Sequence, residues 1–521
     1  MCKQELTVPA FLIFWGLALL LGFSAVPTST FAANGFTLQA IDEKSGSPVP
    51  TRVVFQHADG RQRIVRRTLP AGIGFVINGE QMLSLSLGDY QFQMIRGPEY
   101  RILTGTFTID RDASDSHSVA LPRMVDMAAE GWWSGDPAVT PSLRTLPLLM
   151  QSEDLHFAGY VGTGEQVFVP LDQPLPENGD ASLWGPAEIR TDMCANGNGL
   201  LLVGIPEAFP IDSSAPPPTV SSSTIRAAAQ YDVEGVIVEN PFAWDLPIWL
   251  ASGRVDAIFL QGDWLRLDRS VKRVINGRPP NDPGFSGTLG VGKWAEHIYW
   301  QLLNCGMRIA PLGGSGSQLT KHPVGYSRTY VHSPASLDTS PEGTPITSED
   351  WWAGALAGRS TVTNGPLLRP RFGGELPGHV FKARTGEALE FQMELNLATR
   401  DPVDYLEVIH NGTIVYNARL DEFAKAGGMI PKLRIEESGW VLVRVVTAHT
   451  DHWRAAVSAP WYIEFDGKPR IDRAAVQFFQ DWLSEREAIL GKLPANERAA
   501  HAPYIRAARE YWQSLADQAA P

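Results

Sequence analysis

The chain contains 521 residues, and 44 lysine and arginine residues against 57 aspartate and glutamate residues give a formal net charge of −13. This acidic balance argues against a nucleic-acid-binding protein, because such proteins hold phosphates with clusters of basic side chains. With 44% hydrophobic and 19% charged residues, the composition is that of a folded protein and excludes a disordered one. The length predicts about three or four domains. Its 48 glycines and 39 prolines favour short strands joined by turns.

The first 33 residues have the pattern of a secretory signal peptide. Lys3 precedes an apolar run at residues 9–23 (PAFLIFWGLALLLGF), which leads into small residues. This run is shorter than the roughly 20 residues of a transmembrane helix, and no later stretch is long and apolar enough to span a bilayer. We therefore expect a secreted or periplasmic protein with no stable membrane anchor after cleavage. Removal of the segment leaves Cys194 and Cys305, which could form a disulfide or stay as two free thiols.

Residues 34–125 are predicted to form an N-terminal β-sandwich. Apolar and polar residues alternate at 90–94 and 103–109, which is the period of a strand with one buried face. The opening phrases at residues 39–42 (QAID) and 46–50 (GSPVP) resemble the carboxypeptidase-regulatory-like sandwich modules of secreted enzymes.

In residues 126–370, apolar runs alternate with helical patterns. Three short apolar runs indicate buried strands that each end near polar residues: 199–204, 235–238 and 257–260. Apolar side chains three and four positions apart predict a helix at 292–304, which leads directly into a strand at 307–312. This order of elements predicts an α/β layer or barrel in which polar groups gather at the strand ends.

Two further units are predicted after residue 370. Alternation returns in residues 371–467, where Asn411-Gly412 is a strong hairpin signal, so this region is predicted to be a second β-sandwich. Residues 468–521 have the spacing of two amphipathic helices that pack on a neighbouring unit. The predicted fold class is multidomain α/β plus β: an N-terminal β-sandwich, a central α/β barrel, a second β-sandwich and a C-terminal helical pair.

Five segments of the central region, in order, resemble one known family. They are residues 131–140 (GWWSGDPAVT), 241–247 (PFAWDLP), 313–318 (GGSGSQ), 325–331 (GYSRTYV) and 358–366 (GRSTVTNGP). The series is similar to the CehA/McbA-type branch of the polymerase-and-histidinol-phosphatase (PHP) superfamily of metallohydrolases. The resemblance implies a PHP-like barrel. It also implies histidines and carboxylates that hold two or three divalent metals, which activate water for attack on an ester or phosphoester.

The metal-binding motifs of that family are largely replaced in this chain. The opening Gly-Asp-x-His-x-His motif retains Asp136, but Ala138 and Thr140 stand at the two histidine positions. In the later Gly-Ser-Asp-x-His motif, Gly316 replaces the aspartate and Gln318 the histidine. Alanine and glycine have no donor atom, while threonine and the amides are weak neutral ligands. The family's standard metal cluster therefore cannot form.

Polar residues near the predicted strand ends remain candidates for a binding cleft, although none is predicted to be catalytic. They are Asp136, Glu239, Asn240, Trp244, Asp245, Asp263, Ser315, Ser317, Gln318 and Arg328. The candidate metal ligands are Asp136, Glu239, Asp263 and His156. An all-oxygen set would suit Mg²⁺ or Ca²⁺ rather than Zn²⁺. Alternatively, each carboxylate caps a turn or helix or pairs with an arginine.

Three functions remain open from the sequence. The leading hypothesis is a PHP-like protein with a degenerate metal site that needs no cofactor and acts as a binding or scaffold protein. One alternative is an active metal-dependent ester or phosphoester hydrolase with a carboxylate-rich site at Asp136, Glu239 and Asp263. The other is an extracellular carbohydrate-binding protein in which the sandwiches bind the glycan. A small molecule or glycan is the expected ligand, and tryptophans such as Trp244 could offer it a flat apolar face.

Overall fold

The computed structural model describes residues 35–63, 65–111, 114–161, 188–210, 219–316, 322–333 and 346–519. The predicted signal segment, residues 1–33, lies outside these ranges. Within them, no helix combines the length and the apolar character needed to cross a membrane.

Two β-sheets form the N-terminal region. The strands are β1 (Gly35–Asp42), β2 (Pro50–His57), β3 (Gln62–Arg63), β4 (Leu69–Ala71), β5 (Gly74–Asn78), β6 (Glu80–Ser84), β7 (Gly88–Ile95), β8 (Leu103–Ile109) and β9 (Ser116–Leu121). One sheet has the order β6-β1-β9 and the other β4-β5-β2-β7-β8, with β3 beside β2. Both sheets contribute to one apolar core, in which Phe36, Leu83, Phe55 and Phe75 are buried. This arrangement is consistent with the predicted sandwich.

The central region alternates strands and helices, as the sequence predicts. Its elements are a 3₁₀ helix (Ala128–Glu130), β10 (Trp132–Val139), α1 (Leu146–Ser152), β11 (Phe157–Tyr160), β12 (Glu188–Arg190), β13 (Met193–Ala195), β14 (Leu200–Val203), α2 (Ser222–Gln230), β15 (Gly235–Val238), α3 (Leu246–Leu250), β16 (Ala257–Gln261), a 3₁₀ helix (Pro283–Phe285), α4 (Gly290–Asn304), β17 (Ala310–Gly313), β18 (Arg328–His332), α5 (Ser348–Leu356) and β19 (Ser360–Thr363). The predicted helix at 292–304 is α4. Cys194 on β13 and Cys305 after α4 are both free thiols.

These central strands belong to two open sheets. One has the order β13-β14-β15-β16-β17, and because β15, β16 and β17 are parallel, their carboxyl ends meet at one edge. The other contains β12-β11-β10-β18-β19. Between the sheets, the Gly313 N–H of β17 donates to the Thr329 hydroxyl of β18 (2.9 Å), and these two strands do not pair in the described chain. A closed PHP-like barrel is therefore not confirmed in the described chain, whereas the mixed α/β class is.

The second sandwich region is joined to the central one through a continuous sheet. Its elements are β20 (Leu367–Phe372), β21 (Val380–Ala383), β22 (Leu389–Phe391), β23 (Met393–Ala398), β24 (Val403–His410), β25 (Thr413–Ala418), α6 (Leu420–Lys425), β26 (Leu433–Ile435), β27 (Gly439–Thr447), β28 (Ala455–Ser458) and β29 (Trp461–Phe465). Strand β19 pairs with β28, and the boundary expected at residue 370 falls inside β20. Asn411 and Gly412 have φ angles of 51° and 81°, as a two-residue type I′ hairpin requires, and they join β24 to β25.

Two helices, α7 (Arg473–Leu490) and α8 (Ala495–Gln518), close the described chain and are the predicted helical pair. They pack on each other and on the central helices α3 and α4. Trp512 of α8 stacks on Phe479 of α7 with ring centroids 4.9 Å apart, and its indole N–H donates to the Pro247 carbonyl of α3 (2.9 Å). This packing brings α7 against the edge of the sheet where β15 and β16 end.

Candidate functional site

A cleft of about 760 Å³ lies at the carboxyl ends of β15 and β16. Half of the predicted cleft residues line it: Glu239, Asn240, Trp244, Asp245 and Asp263. The crevice beyond the carboxyl ends of parallel strands is the usual place for a ligand in α/β proteins. The prediction that polar groups gather at strand ends therefore identified the cleft residues next to β15 and β16.

The opposite wall of the cleft is the segment that follows β16. It contributes Arg266, Arg269, Arg273 and Asn276, among other residues. The segment is fixed across the cleft because the Asn240 side-chain amide donates to the Asn276 carbonyl (2.8 Å). Sequence reasoning missed this wall. The available signal was the high density of basic residues in 266–273 (RLDRSVKR), directly after a buried strand.

Glu239 and Asp263 both lie near Gly316. A Cβ atom at Gly316 would stand 3.0 Å from Asp263 Cβ and 3.6 Å from Glu239 Oε1, and the glycine has a φ of +91° that other residues rarely adopt. Burial raises the pKa of Asp263, and the positive charge of Arg266 partly offsets that rise. Asp263 accepts no hydrogen bond from any residue that the structure describes.

Asp136 does not line the cleft. It is completely buried in β10. Its Oδ1 accepts from the backbone N–H groups of Ser315 (2.9 Å) and Ala138 (3.2 Å), and its Oδ2 accepts from the Gly325 N–H (2.7 Å). Burial raises the pKa of Asp136 to about 6, against the opposing effect of these hydrogen bonds. The carboxylate thus fastens β10 to the loops that follow β17 and precede β18.

Ser315 and Arg328 also have structural surroundings. Ser315 is buried, and its hydroxyl donates to the Pro323 carbonyl (3.2 Å). Arg328 is buried at the start of β18 and donates to the carbonyls of Gly325 (2.6 Å) and Glu153 (3.1 Å). Neither side chain lines the cleft, because both are turned to backbone carbonyls beside it.

Asp245 lines the cleft but is already paired. Its Oδ2 accepts from the Ser221 hydroxyl (2.5 Å) and its Oδ1 from the Arg486 guanidinium of α7 (2.6 Å). This agrees with the alternative that a carboxylate pairs with an arginine, although the partner comes from the C-terminal helix. Of the neighbouring tryptophans, Trp244 is partly buried and Trp249 is fully buried behind it.

The remaining candidates are remote from the cleft or outside the described ranges. His156 is buried, its Nδ1 is 2.9 Å from the Ser134 hydroxyl, and its ring packs edge-on against Trp133. Burial lowers the pKa of His156 to about 4, so its imidazole is neutral at pH 7. Ser317 and Gln318 lie outside the described residues.

A PHP-type metal cluster does not fit the side chains that are described. Among them, no group of three or more histidine, cysteine, aspartate or glutamate residues could hold a metal ion. Both oxygens of Asp136 accept backbone N–H groups, and His156 contacts Ser134 rather than a carboxylate pair. The four candidate ligands are thus divided between the cleft and the interior of the fold.

Comparisons with known proteins identify no family. No protein-family model matches the chain, and a search of curated proteins found no match. A search of solved structures found the β-glucuronidase of Parabacteroides merdae, with 8% identity and a TM-score of 0.15 over 80% of this chain and 62% of that chain. A second structure of that enzyme, with glycerol in its active site, has 9% identity and a TM-score of 0.15, with 80% and 60% covered. The chain spans less than two thirds of that enzyme, and a likeness this weak shows no shared fold.

Proposed function

We propose that this protein is a non-catalytic, PHP-like binding protein of CehA/McbA type that holds a small polar ligand in the cleft between Glu239, Asp263 and the wall at 266–277. The proposal includes a barrel-derived central domain and, from residues 1–33, a location outside the cytoplasm. A ligand-binding role accounts for the open cleft. A metal-hydrolase role would require a ligand set that the described side chains do not provide.

The hydrogen bonds to the Asp136 carboxylate are the main support for this proposal. In the family that the sequence resembles, the corresponding aspartate belongs to the metal-binding motif. Here, its two oxygens accept three backbone N–H groups, from Ala138, Ser315 and Gly325. A carboxylate has about four lone-pair sites, so these buried donors already use three of them and leave at most one for a metal. Asp136 is therefore assigned to the architecture of the fold.

The two carboxylates that do face the cleft are too few for the metal cluster of a hydrolase. Glu239 and Asp263 are neighbours at Gly316, but Ala138, Thr140 and Gly316 replace ligands that the family would place around them. Asp245 is engaged by Ser221 and Arg486 and does not supply a third carboxylate ligand.

Metal analysis of the purified protein tests the proposal. After dialysis against Zn²⁺, Mn²⁺ and Ca²⁺, we expect elemental analysis to find no ion above background, both in the natural chain and in the Glu239→Gln, Asp263→Asn double variant. The matched control is Asp232→Asn, which removes an exposed carboxylate at the opposite end of β15 and suits its positive φ of 55°.

The competing hydrolase hypothesis makes the opposite prediction. One or more tightly held ions per chain, retained in the Asp232→Asn control and lost in the double variant, would overturn the non-catalytic proposal. Such a result would direct attention to ester and phosphoester substrates, with Glu239 and Asp263 as ligands supplemented from outside the described residues.

A further inference from the structure

Charged groups of both signs line the cleft. Glu239 and Asp263 both lie near Gly316, whereas Arg269 and Arg273 belong to the segment after β16 and are exposed. A cationic ligand would meet the arginines, and an anionic ligand would meet the two carboxylates. A neutral ligand whose groups both donate and accept hydrogen bonds can bind to the carboxylates and to the arginines.

We propose that the ligand is a neutral polyhydroxylated molecule, a mono- or disaccharide, whose hydroxyls donate to Asp263 and Glu239 and accept from Arg269 and Arg273. This inference rests on the proposed function and names its ligand class. Each of these side chains presents two or more polar atoms in one plane, which matches neighbouring hydroxyls on a sugar ring.

The strongest single feature is the carboxylate of Asp263. It is partly buried at the cleft and has no hydrogen-bond donor among the described residues. Its nearest cation, Arg266, instead forms a two-pronged contact with Asp268 (2.6 and 2.7 Å). Because a desolvated carboxylate without a donor is unfavourable, a hydroxyl that enters the cleft gains a strong charge-assisted hydrogen bond.

The apolar surface of the cleft also suits a sugar. Trp244 is only partly buried at the lining, and it packs on the apolar core that includes a buried aromatic pair, Phe242 and Trp264, which also lines the cleft. Flat aromatic surfaces cover the C–H faces of sugar rings. The volume of about 760 Å³ is within the range of about 300–1,000 Å³ that is usual for small-molecule sites.

Binding to a glycan array that includes neutral mono- and disaccharides, followed by titration of the best sugar, tests this inference. We expect Asp263→Asn to lower the affinity for that sugar at least about tenfold, because an amide replaces a charged acceptor. The control Asp232→Asn should bind as the natural chain does. Thermal unfolding of Asp263→Asn should be unchanged, since Asp263 supports no hydrogen bond within the described structure.

Three outcomes would overturn the saccharide assignment: no sugar binds, a sugar binds equally well to Asp263→Asn, or spermidine or inorganic phosphate binds to the cleft in place of sugars. Each of these leaves the proposed non-catalytic role intact if the metal analysis is negative. A positive metal analysis, by contrast, would overturn the proposed function whatever the array shows, so the two failures are distinguishable.

Discussion

Replacing Asp136 by alanine should destabilise the fold strongly, although this residue stands where the resembled family has a metal ligand. The substitution removes the acceptor of three backbone N–H groups, at 2.7, 2.9 and 3.2 Å, in the interior of the protein. Hydrogen bonds to charged groups contribute about 1.5–3 kcal/mol each, and bonds within one network are not additive. We therefore expect a loss of about 3–5 kcal/mol in the free energy of unfolding.

Asp263→Ala is the matched comparison. This aspartate follows strand β16 of the central region, but it accepts no hydrogen bond from the residues that are described. Its removal relieves a partly desolvated charge, so the free energy of unfolding should stay the same or rise slightly. Both variants are measured without added metal, by urea denaturation followed through tryptophan fluorescence.

The contrast between the two variants decides the role of Asp136. A residue kept for metal binding would, in metal-free protein, be dispensable for folding. If Asp136→Ala costs less than about 1 kcal/mol, or no more than Asp263→Ala, the structural assignment of its carboxylate is refuted.

Two further predictions concern buried ionisable groups. Arg444 contacts Glu296 and Glu407 in the interior, so Arg444→Met leaves two buried carboxylates without their cation. Urea denaturation should show a loss of about 3–5 kcal/mol in the free energy of unfolding. A loss below about 1 kcal/mol would contradict this prediction. The second prediction concerns His156, whose pKa burial lowers from 6.5 to about 4. Between these two pH values the unfolded chain binds the proton at this histidine and the folded chain does not. The free energy of unfolding should therefore fall by about 3 kcal/mol, through this residue, as the pH drops from 6.5 to 4. His156→Gln should flatten that part of the pH profile of unfolding, and an unchanged slope would show that other groups set it.

Local signals predicted the elements of this fold better than their pairing. Asn411-Gly412 specifies its hairpin because both residues adopt the positive φ that the turn needs. The helix α4 follows from side-chain spacing alone. By contrast, the pairing of β19 with β28 joins residues almost a hundred positions apart, and nothing in either segment specifies the partner. The continuous sheet across the expected boundary at residue 370 was therefore not predictable.

The same distinction applies to the site. Glu239 and Asp263 were predictable because they directly follow neighbouring parallel strands, which brings them to one edge of the sheet. The partner of Asp245 was not predictable, because Arg486 is 241 residues away on a helix that packs from outside the central region. A carboxylate at a strand end can face a cleft, a backbone or a distant arginine, and only long-range packing decides between them.

The surroundings of Asp136 also explain how its buried carboxylate is stabilised without histidines at positions 138 and 140. A buried carboxylate must be compensated by a metal, a cation or hydrogen-bond donors. Here, the N–H groups of Ala138, Ser315 and Gly325 supply that compensation from the backbone. Ala138 is itself completely buried, so an imidazole at this position would have no space without displacement of the core. Ala138 thus has two structural roles: its N–H donates to Asp136, and its small side chain fills the core.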